Sequence, residues 1–315
     1  MDHVIANFYQ RRTIESNLIL PSETQFYAPG YRSIVHALRL ISHEDRMDLT
    51  YEQLELSVSG VDTRVSTVRR DSGALAPVVF LHGFGSTKED YLDIAQHTAF
   101  TGRSFVAYDM PGCGETLCND LSHISIPFLV DTARAILRNL GIQRFHLVGH
   151  SMGGLVALIL AHQAQEQVLS FANIKGNVAP EDCFLSRQIF THPSDDPESF
   201  LDAFIERTRR APSYASALYA SSLRSKVRVG AVRGIFESMV NLSDHGDLMS
   251  KFLSLPCPSM FMYGEQNASL TYLGNINANG VELAEIPQSG HFPMYSNPVE
   301  FWTRIADFIK RSELL

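Results

Sequence analysis

Four short, continuously apolar segments constrain the fold of this chain more than any other feature. They read PVVFLH, RSFVAYD, FHLVGH and VLSFANI, and longer segments lie between them. A strand that is apolar on both faces is typical of a parallel sheet covered by helices on both sides. The alternation of such strands with helix-like segments therefore predicts an α/β fold with a doubly wound, mostly parallel sheet.

The sequence around these strands divides the chain into three predicted regions. Two alternating segments, YEQLELSVSG and DTRVSTVRR, predict an antiparallel hairpin that opens the sheet. About eighty helix-prone residues follow VLSFANI, which is too long for a plain crossover. We therefore predict a core of residues 51–176 and 256–315, a helical cap at 177–255, and an N-terminal helical extension at 1–50 that contains the amphipathic segment SIVHALRLISHE.

The composition argues against several classes of partner. The chain has 315 residues and a net charge of −8, and its basic residues form only isolated pairs, so nucleic acid is not an expected partner. No apolar run is long enough to span a membrane, and the first residues lack the core of a signal peptide. Four scattered cysteines indicate neither a metal site nor a disulfide framework. These features predict a cytoplasmic protein with no cofactor or metal, and they leave its oligomeric state open.

A serine stands where an apolar strand changes abruptly into an apolar helix. The segment is LVGHSMGGL, in which Gly149, Ser151 and Gly153 have the G-x-S-x-G spacing. Glycines on both sides permit a turn so sharp that the serine Oγ stands clear of the sheet. The N-terminus of the following helix favours developing negative charge through its free N–H groups. We therefore predict that Ser151 is a nucleophile and that the Met152 N–H helps to hold an oxyanion.

A second turn, FLHGFGS, follows the first continuously apolar strand. If this turn directs the Phe84 N–H toward the same point as the Met152 N–H, two backbone donors meet at one oxyanion. We predict that Phe84 supplies the second donor and that His82 has a structural role in the loop.

The candidate base lies late in the chain, after the last predicted strand. The segment PQSGHFPMYSNP presents His291 in a loop between a glycine and a proline. A neutral imidazole beside a serine takes its proton during attack and returns it to the leaving group. We therefore predict that Ser151 and His291 act together.

These motifs, in this order, resemble those of the α/β-hydrolase family. The resemblance rests on LHGFG, YDMPGCGET, GHSMGG and SGHFP, and it covers the chain from about Tyr51 to the end apart from the cap. It implies a capped serine hydrolase from the branch that holds esterases, lipases, thioesterases, lactonases and carbon–carbon bond hydrolases.

The chain departs from the family pattern at the third member of the expected triad. The family places an acid after the strand ending in MFMYG or after the strand ending in FANI. These two positions hold Asn267 and Lys175 here, and Glu265 lies two residues before the first of them. We predict Asn267 as the third member and Glu265 as the alternative acid. Glu181 and Asp182 are further acids, for which two arrangements stay open: contact with the histidine or pairing with Lys175.

Two classes of function fit these features. The first is a serine hydrolase that cleaves an ester, thioester or lactone of an apolar acyl group. The cap would shape its acyl pocket, with aromatic candidates at Phe184, Phe190, Phe200, Phe204, Tyr214, Tyr219 and Phe236. The alternatives are a ligand-binding protein or receptor with little turnover on the same scaffold, and a carbon–carbon bond hydrolase or acyltransferase with the same nucleophile.

Overall fold

The computed structural model of this protein describes residues 49–314, which form a nine-stranded sheet covered by helices. Most of the predicted extension, with its amphipathic segment at 33–44, lies outside the described residues. The strands are β1 (Thr50–Val58), β2 (Val61–Arg70), β3 (Val78–Leu81), β4 (Phe105–Tyr108), β5 (Leu117–Cys118), β6 (Phe145–His150), β7 (Val168–Ile174), β8 (Ser259–Gly264) and β9 (Glu282–Ile286).

The α-helices are numbered here in chain order. They are α1 (Ile126–Asn139), α2 (Met152–Gln163), α3 (Pro197–Arg210), α4 (Ser216–Lys226), α5 (Val232–His245), α6 (Leu248–Leu253), α7 (Leu273–Ala278), α8 (Pro293–Ser296) and α9 (Pro298–Ser312). Short 3₁₀ helices lie at Lys88–Ala95, Thr98–Phe100, Leu121–His123, Pro180–Cys183, Ser186–Phe190, Val229–Ala231 and Glu265–Asn267.

The sheet has the strand order β1-β2-β4-β3-β6-β7-β8-β9, with β5 paired to β2. Every pairing from β4 onward along this order is parallel, whereas β1 and β2 form an antiparallel hairpin and β2 pairs antiparallel with β4. All residues of β3, β4 and β6 are buried, as their unbroken apolar sequences predict. The predicted α/β-hydrolase architecture, with a doubly wound and mostly parallel sheet, is confirmed.

Helix α2 lies against the centre of the sheet and is apolar around almost its whole circumference. A helix with no polar face is stable only when it is buried on all sides. It contacts β3, β6 and β7, and α1 and α6 cover it. The turn that holds Ser151 thus leads directly into one of the most buried elements of the described structure.

The segment between β7 and β8 is helical, as the sequence predicts. Helices α3 and α4 pack against each other, whereas α6 packs on α2. The last helix of the range predicted as a cap therefore lies on the core. The division into a core and a cap stays a prediction.

A buried charged network joins the loop after β3 to the loop after β4. The Lys88 ammonium is buried and contacts the carboxylates of Glu89, Asp109 and Glu115 at 2.9, 3.0 and 3.1 Å. Asp109 also accepts hydrogen bonds from the backbone N–H groups of Lys88 and Glu115, both at 2.8 Å. Burial alone would lower the pKa of Lys88, but these carboxylates raise it above its ordinary value.

Replacing Lys88 with methionine is expected to destabilise the protein strongly, because it leaves the buried Asp109 carboxylate without its cation. Breaking a buried ion pair in this way lowers the free energy of unfolding by about 3–5 kcal/mol. The matched control is Glu89→Gln, which removes a half-exposed partner of the same ammonium and is expected to change stability by less than about 1 kcal/mol. Urea unfolding of both variants measures the difference, and equal losses would contradict a special role for the buried pair.

Candidate active site

Ser151 occupies the sharp turn between β6 and α2, with backbone angles of φ 53° and ψ −119°. This region of φ and ψ is strained for any residue with a side chain. The Ser151 N–H donates to the carbonyl of Ile174 at the end of β7, at 3.0 Å. The turn is therefore fixed to the neighbouring strand, and the side chain is left half-buried at the carboxyl edge of the sheet.

The glycines of the turn are required by close approach of backbone. A Cβ atom on Gly153 would lie 2.2 Å from the carbonyl oxygen of Leu81, and one on Gly149 would lie 2.5 Å from the carbonyl oxygen of Gly153. Real side chains do not tolerate such distances. The start of α2 thus rests directly on the end of β3, which brings the turn after β3 beside the nucleophile.

The turn after β3 borders Ser151. A Cβ on Gly83 would lie 3.2 Å from the Ser151 Cβ, so only a hydrogen fits at this position. Within residues 49–314, neither the Phe84 N–H nor the Met152 N–H donates to a protein acceptor. Backbone N–H groups without a protein acceptor close to a serine are what an oxyanion site requires, and the assignment of Phe84 and Met152 to such a site stays a prediction.

His82 stabilises the turn after β3 through two hydrogen bonds of its imidazole. Its Nε2 accepts a hydrogen bond from the Met110 N–H at 2.8 Å, so its Nδ1 carries the proton and donates to the Gly83 carbonyl at 2.7 Å. Burial lowers the pKa of His82 below its ordinary value, although Asp109 opposes this effect. The imidazole is therefore a neutral structural element, as its position in the loop predicts.

The helices after β7 pack on the turn after β3 that contains Phe84. The Phe84 ring packs against Phe204 of α3 and Phe236 of α5, with ring centroids 5.8 and 4.6 Å apart. The hydroxyl of Tyr219 in α4 donates a short hydrogen bond to the Phe84 carbonyl. Both peptide groups on either side of the Phe84 Cα are thereby held in place.

His291 lies in the loop between β9 and α8, and its Nε2 is 2.9 Å from the Ser151 Oγ. The structure thus brings together the two residues that the sequence predicts to act together. Burial lowers the pKa of His291 well below its ordinary value, and the nearby His150 and Lys175 lower it further. The ring is neutral at pH 7, so Nε2 is free to accept the serine proton.

Neither residue predicted for the third position has a hydrogen bond to His291 within residues 49–314. Glu265 is exposed, and its carboxylate accepts the Gln288 N–H at 2.7 Å in the loop that leads to His291. Asn267 is half-buried at the end of a short 3₁₀ helix.

The position after β7 holds a buried ion pair. Lys175 adopts a left-handed backbone with φ 45°, and its ammonium lies 2.5 Å from Asp182. The same carboxylate accepts from the Tyr272 hydroxyl at 2.7 Å and, through its other oxygen, from the N–H groups of Val178 and Ala179 at 2.9 and 3.0 Å. The Asp182 carboxylate therefore pairs with Lys175, one of the two arrangements that the sequence leaves open.

Glu181, the other acid of that segment, is exposed and bonds to Thr271. It thus contacts the loop before α7.

Several residues that shape the site give no recognisable signal in the sequence. Tyr219 and Tyr272 belong to segments without motifs, and their partners are 135 and 90 residues away along the chain. His150 is the variable residue of the G-x-S-x-G spacing, yet its Nε2 lies 2.8 Å from the His291 carbonyl oxygen. Only long-range packing determines these contacts.

The described part of the chain contains no cluster of three or more histidine, cysteine or acidic residues suited to a metal ion. No helix within it is both long enough and apolar enough to cross a membrane.

Known proteins share sequence and fold with this chain. The chain is 38% identical over 99 residues to the dihydrolipoyllysine-residue acetyltransferase component of the acetoin cleaving system of Pseudomonas putida, a match covering 31% of this chain and only 26% of that relative's length. It is 26% identical over 263 residues to a monoacylglycerol lipase of Xenopus laevis, covering 77% of this chain and 78% of the lipase.

The solved structures extend the similarity to the whole sheet. An N-acyl homoserine lactonase, in complex with N-hexanoyl homoserine, superimposes with a TM-score of 0.65 at 18% identity and covers 85% of this chain and 98% of its own. A family model described as the alpha/beta hydrolase family matches residues 78–304, which include Phe84, Ser151 and His291. The chain therefore belongs to the α/β hydrolase family.

Proposed function

We propose that this protein is a serine hydrolase that cleaves an ester, thioester or lactone bond through an acyl-enzyme. The observation that carries the proposal is the 2.9 Å contact between the Ser151 Oγ and the His291 Nε2 at a strained turn flanked by two free N–H donors. Such a combination fits acyl transfer, because it provides a nucleophile, a base and an oxyanion site at one point.

In the first half of the proposed reaction, the Ser151 oxygen attacks the substrate carbonyl carbon while its proton moves to the His291 Nε2. The carbonyl oxygen becomes an oxyanion that the N–H groups of Phe84 and Met152 stabilise. The bond to the leaving group then breaks, and His291 protonates that group as it departs. Water, deprotonated by His291, attacks the acyl-enzyme in the second half and releases the carboxylic acid.

The contacts of Glu265 favour a role for this acid other than that of the third member of the site. Its bond to the Gln288 N–H supports the loop that carries His291. We infer that Glu265 stabilises this loop by accepting the Gln288 backbone N–H. Asn267 stays the predicted third member. Because Lys175 opposes positive charge on His291, the imidazolium is less stable here than beside a carboxylate.

The substrate class that we propose is an apolar acyl compound. The names of the lipase and lactonase relatives denote enzymes of acyl substrates. Four of the aromatic residues predicted to line an acyl pocket are buried, namely Phe200, Phe204, Tyr219 and Phe236. Phe184, Phe190 and Tyr214 are exposed, so they remain available to contact a substrate.

The cytoplasmic location stays a prediction. The four cysteines are free thiols in the structure, which is compatible with a reducing compartment.

Replacing Ser151 with alanine is expected to lower kcat for a p-nitrophenyl ester by at least about a thousandfold, because the nucleophile is lost. A fluorophosphonate is expected to label wild-type Ser151 stoichiometrically and the variant not at all, as measured by intact mass and peptide mapping. Undiminished hydrolysis by Ser151→Ala would exclude the mechanism. A folded wild-type protein that neither hydrolyses esters nor takes the label would favour the ligand-binding alternative.

The strained backbone at Ser151 gives a separate prediction about stability. Such a conformation costs on the order of 1–3 kcal/mol for a residue with a Cβ, and glycine avoids this strain but loses roughly 0.5–1 kcal/mol to backbone entropy. Ser151→Gly is therefore expected to be more stable than Ser151→Ala by about 1 kcal/mol, although both are inactive. Thermal unfolding compares the two variants directly, and an alanine variant at least as stable as the glycine variant would contradict this account of the turn.

The pH dependence of kcat/KM is expected to follow the lowered pKa of His291. Catalysis requires the neutral ring, so activity should persist as pH falls through the ordinary histidine range near about 6.5 and decline only at lower pH. Removing the Lys175 charge raises the pKa of His291, so Lys175→Met/Asp182→Asn should lose activity at a higher pH than the wild type.

The control for this shift is Asp182→Asn, which retains the Lys175 charge and the acceptor for the Val178 and Ala179 N–H groups. Its acid limb should not move to higher pH. Coincident acid limbs for the double variant and this control would show that Lys175 does not act on His291.

A further inference from the structure

His150 lies between the nucleophile and the base, and its side chain is almost completely buried, with 1% of its surface exposed. It directly precedes Ser151, and its Nε2 is 2.8 Å from the carbonyl oxygen of His291. A carbonyl oxygen only accepts hydrogen bonds, so the His150 Nε2 carries the proton and donates it. This assigns the tautomer of the ring.

The opposite edge of the His150 ring faces the turn after β3. Its Nδ1 has no hydrogen atom in this tautomer, and it is buried without a protein partner among residues 49–314. A Cβ on Gly83 would lie 2.8 Å from this nitrogen, so the turn that holds Phe84 packs directly on the ring. Burial lowers the pKa of His150 to about 4, which keeps the ring neutral under ordinary assay conditions.

The bond from His150 closes a small ring of contacts around the reacting atoms. The His291 imidazole bonds to the Ser151 Oγ, the His291 carbonyl bonds to His150, and residues 150 and 151 are covalently joined. His291 is thus held at its side chain and at its backbone by two consecutive residues of one turn. The His150 ring also lies 5.0 Å from the His291 ring and 5.4 Å from the Phe292 ring, measured between centroids.

The loop between β9 and α8, which carries His291, is called the base loop below. Its other contacts involve residues before or after His291. Glu265 accepts the Gln288 N–H, the Gln266 N–H donates to the Ser289 carbonyl at 3.1 Å, and Ser289 bonds to Ser296 at 2.6 Å. These contacts fix the path of the loop, whereas the bond from His150 fixes the backbone of the base itself.

We propose that His150 is a positioning residue that sets the distance between the His291 imidazole and Ser151 through the His291 carbonyl. The proposal rests on the proposed function of Ser151 and His291, and it adds a residue that touches neither substrate nor the transferred proton. A displacement of the base by about 1 Å is enough to lower the rate of a reaction on the order of 100-fold.

The test compares His150→Gln with His150→Asn. The amide nitrogen of glutamine occupies nearly the place of Nε2 and preserves the donor, whereas the shorter asparagine places its amide near Nδ1 and removes the donor from the His291 carbonyl. Both substitutions put a neutral amide in the same buried space, so their general effects on stability are similar. His150→Leu removes every donor and serves as the third variant.

The Asn and Leu variants are expected to lower kcat on the order of 100-fold with KM changed less than about threefold, and to slow fluorophosphonate labelling of Ser151 in parallel. The Gln variant is expected to keep kcat within about tenfold of the wild type. Equal kcat values for the Asn, Gln and wild-type proteins would overturn the proposal, as would losses in Asn and Gln that are equally large.

Hydrogen exchange gives a readout that does not depend on activity. Loss of the bond is expected to speed amide exchange of residues 288–292 and 294 about tenfold in the Asn and Leu variants, with exchange in α2 unchanged. Unchanged exchange in this loop would overturn the proposal even in an active enzyme. If the wild-type protein proves inactive, the proposed function fails, and the exchange comparison still decides whether His150 holds the base loop.

Discussion

The rest of the site depends on the close contact between the start of α2 and the end of β3. Gly153 lies so near the Leu81 carbonyl that no side chain fits between them. This contact leaves only a few residues for the reversal from β6 into the helix, and Ser151 takes up the resulting strain at φ 53°. The bond from its N–H to Ile174 keeps the strained turn from relaxing away from the sheet. Ser151 is therefore positioned by the packing of buried backbone and not by its own side chain.

The charges around His291 are arranged so that each nearby acid in the described structure has a partner of its own. Asp182 binds Lys175, Tyr272 and two backbone N–H groups, and Glu265 binds a backbone N–H in the base loop. The imidazole is thus held mainly by neutral contacts and lies in the positive field of Lys175. Such a site keeps its base unprotonated over a wide range of pH, but it stabilises the imidazolium less than a carboxylate would. Accurate placement of the base then matters more, because less of the rate comes from charge.

The parts of the fold that depend on local sequence were predictable, and those that depend on distant side chains were not. Runs of apolar residues such as FHLVGH predict the buried strands, and the flanking glycines predict the Ser151 turn. Both patterns are local, because burial of a strand and a sharp turn each depend on a few neighbouring residues. The pairing of Ser151 with His291, 140 residues apart, was predicted from the order of the motifs along the chain, which resembles that of the α/β-hydrolase family. By contrast, the pairing of Lys175 with Asp182 depends on the path of a loop after β7, and no periodicity encodes it. The donor that Tyr219 brings to Phe84 likewise depends on how helices after β7 dock, which local patterns do not specify.

The Phe84 ring packs against α3 and α5, so the loop after β3 contacts both the sheet and the helices that follow β7. Phe84 follows Gly83, which borders Ser151, and its ring packs among the helices after β7 while its carbonyl accepts a hydrogen bond from Tyr219. Exchange of these helices between family members, as in chimeric enzymes, would therefore also exchange the surroundings of Phe84. Helices taken from another family member would have to supply aromatic side chains around the Phe84 ring and a hydroxyl donor for the Phe84 carbonyl. Sequence changes in the two regions are consequently expected to occur together when the protein diversifies.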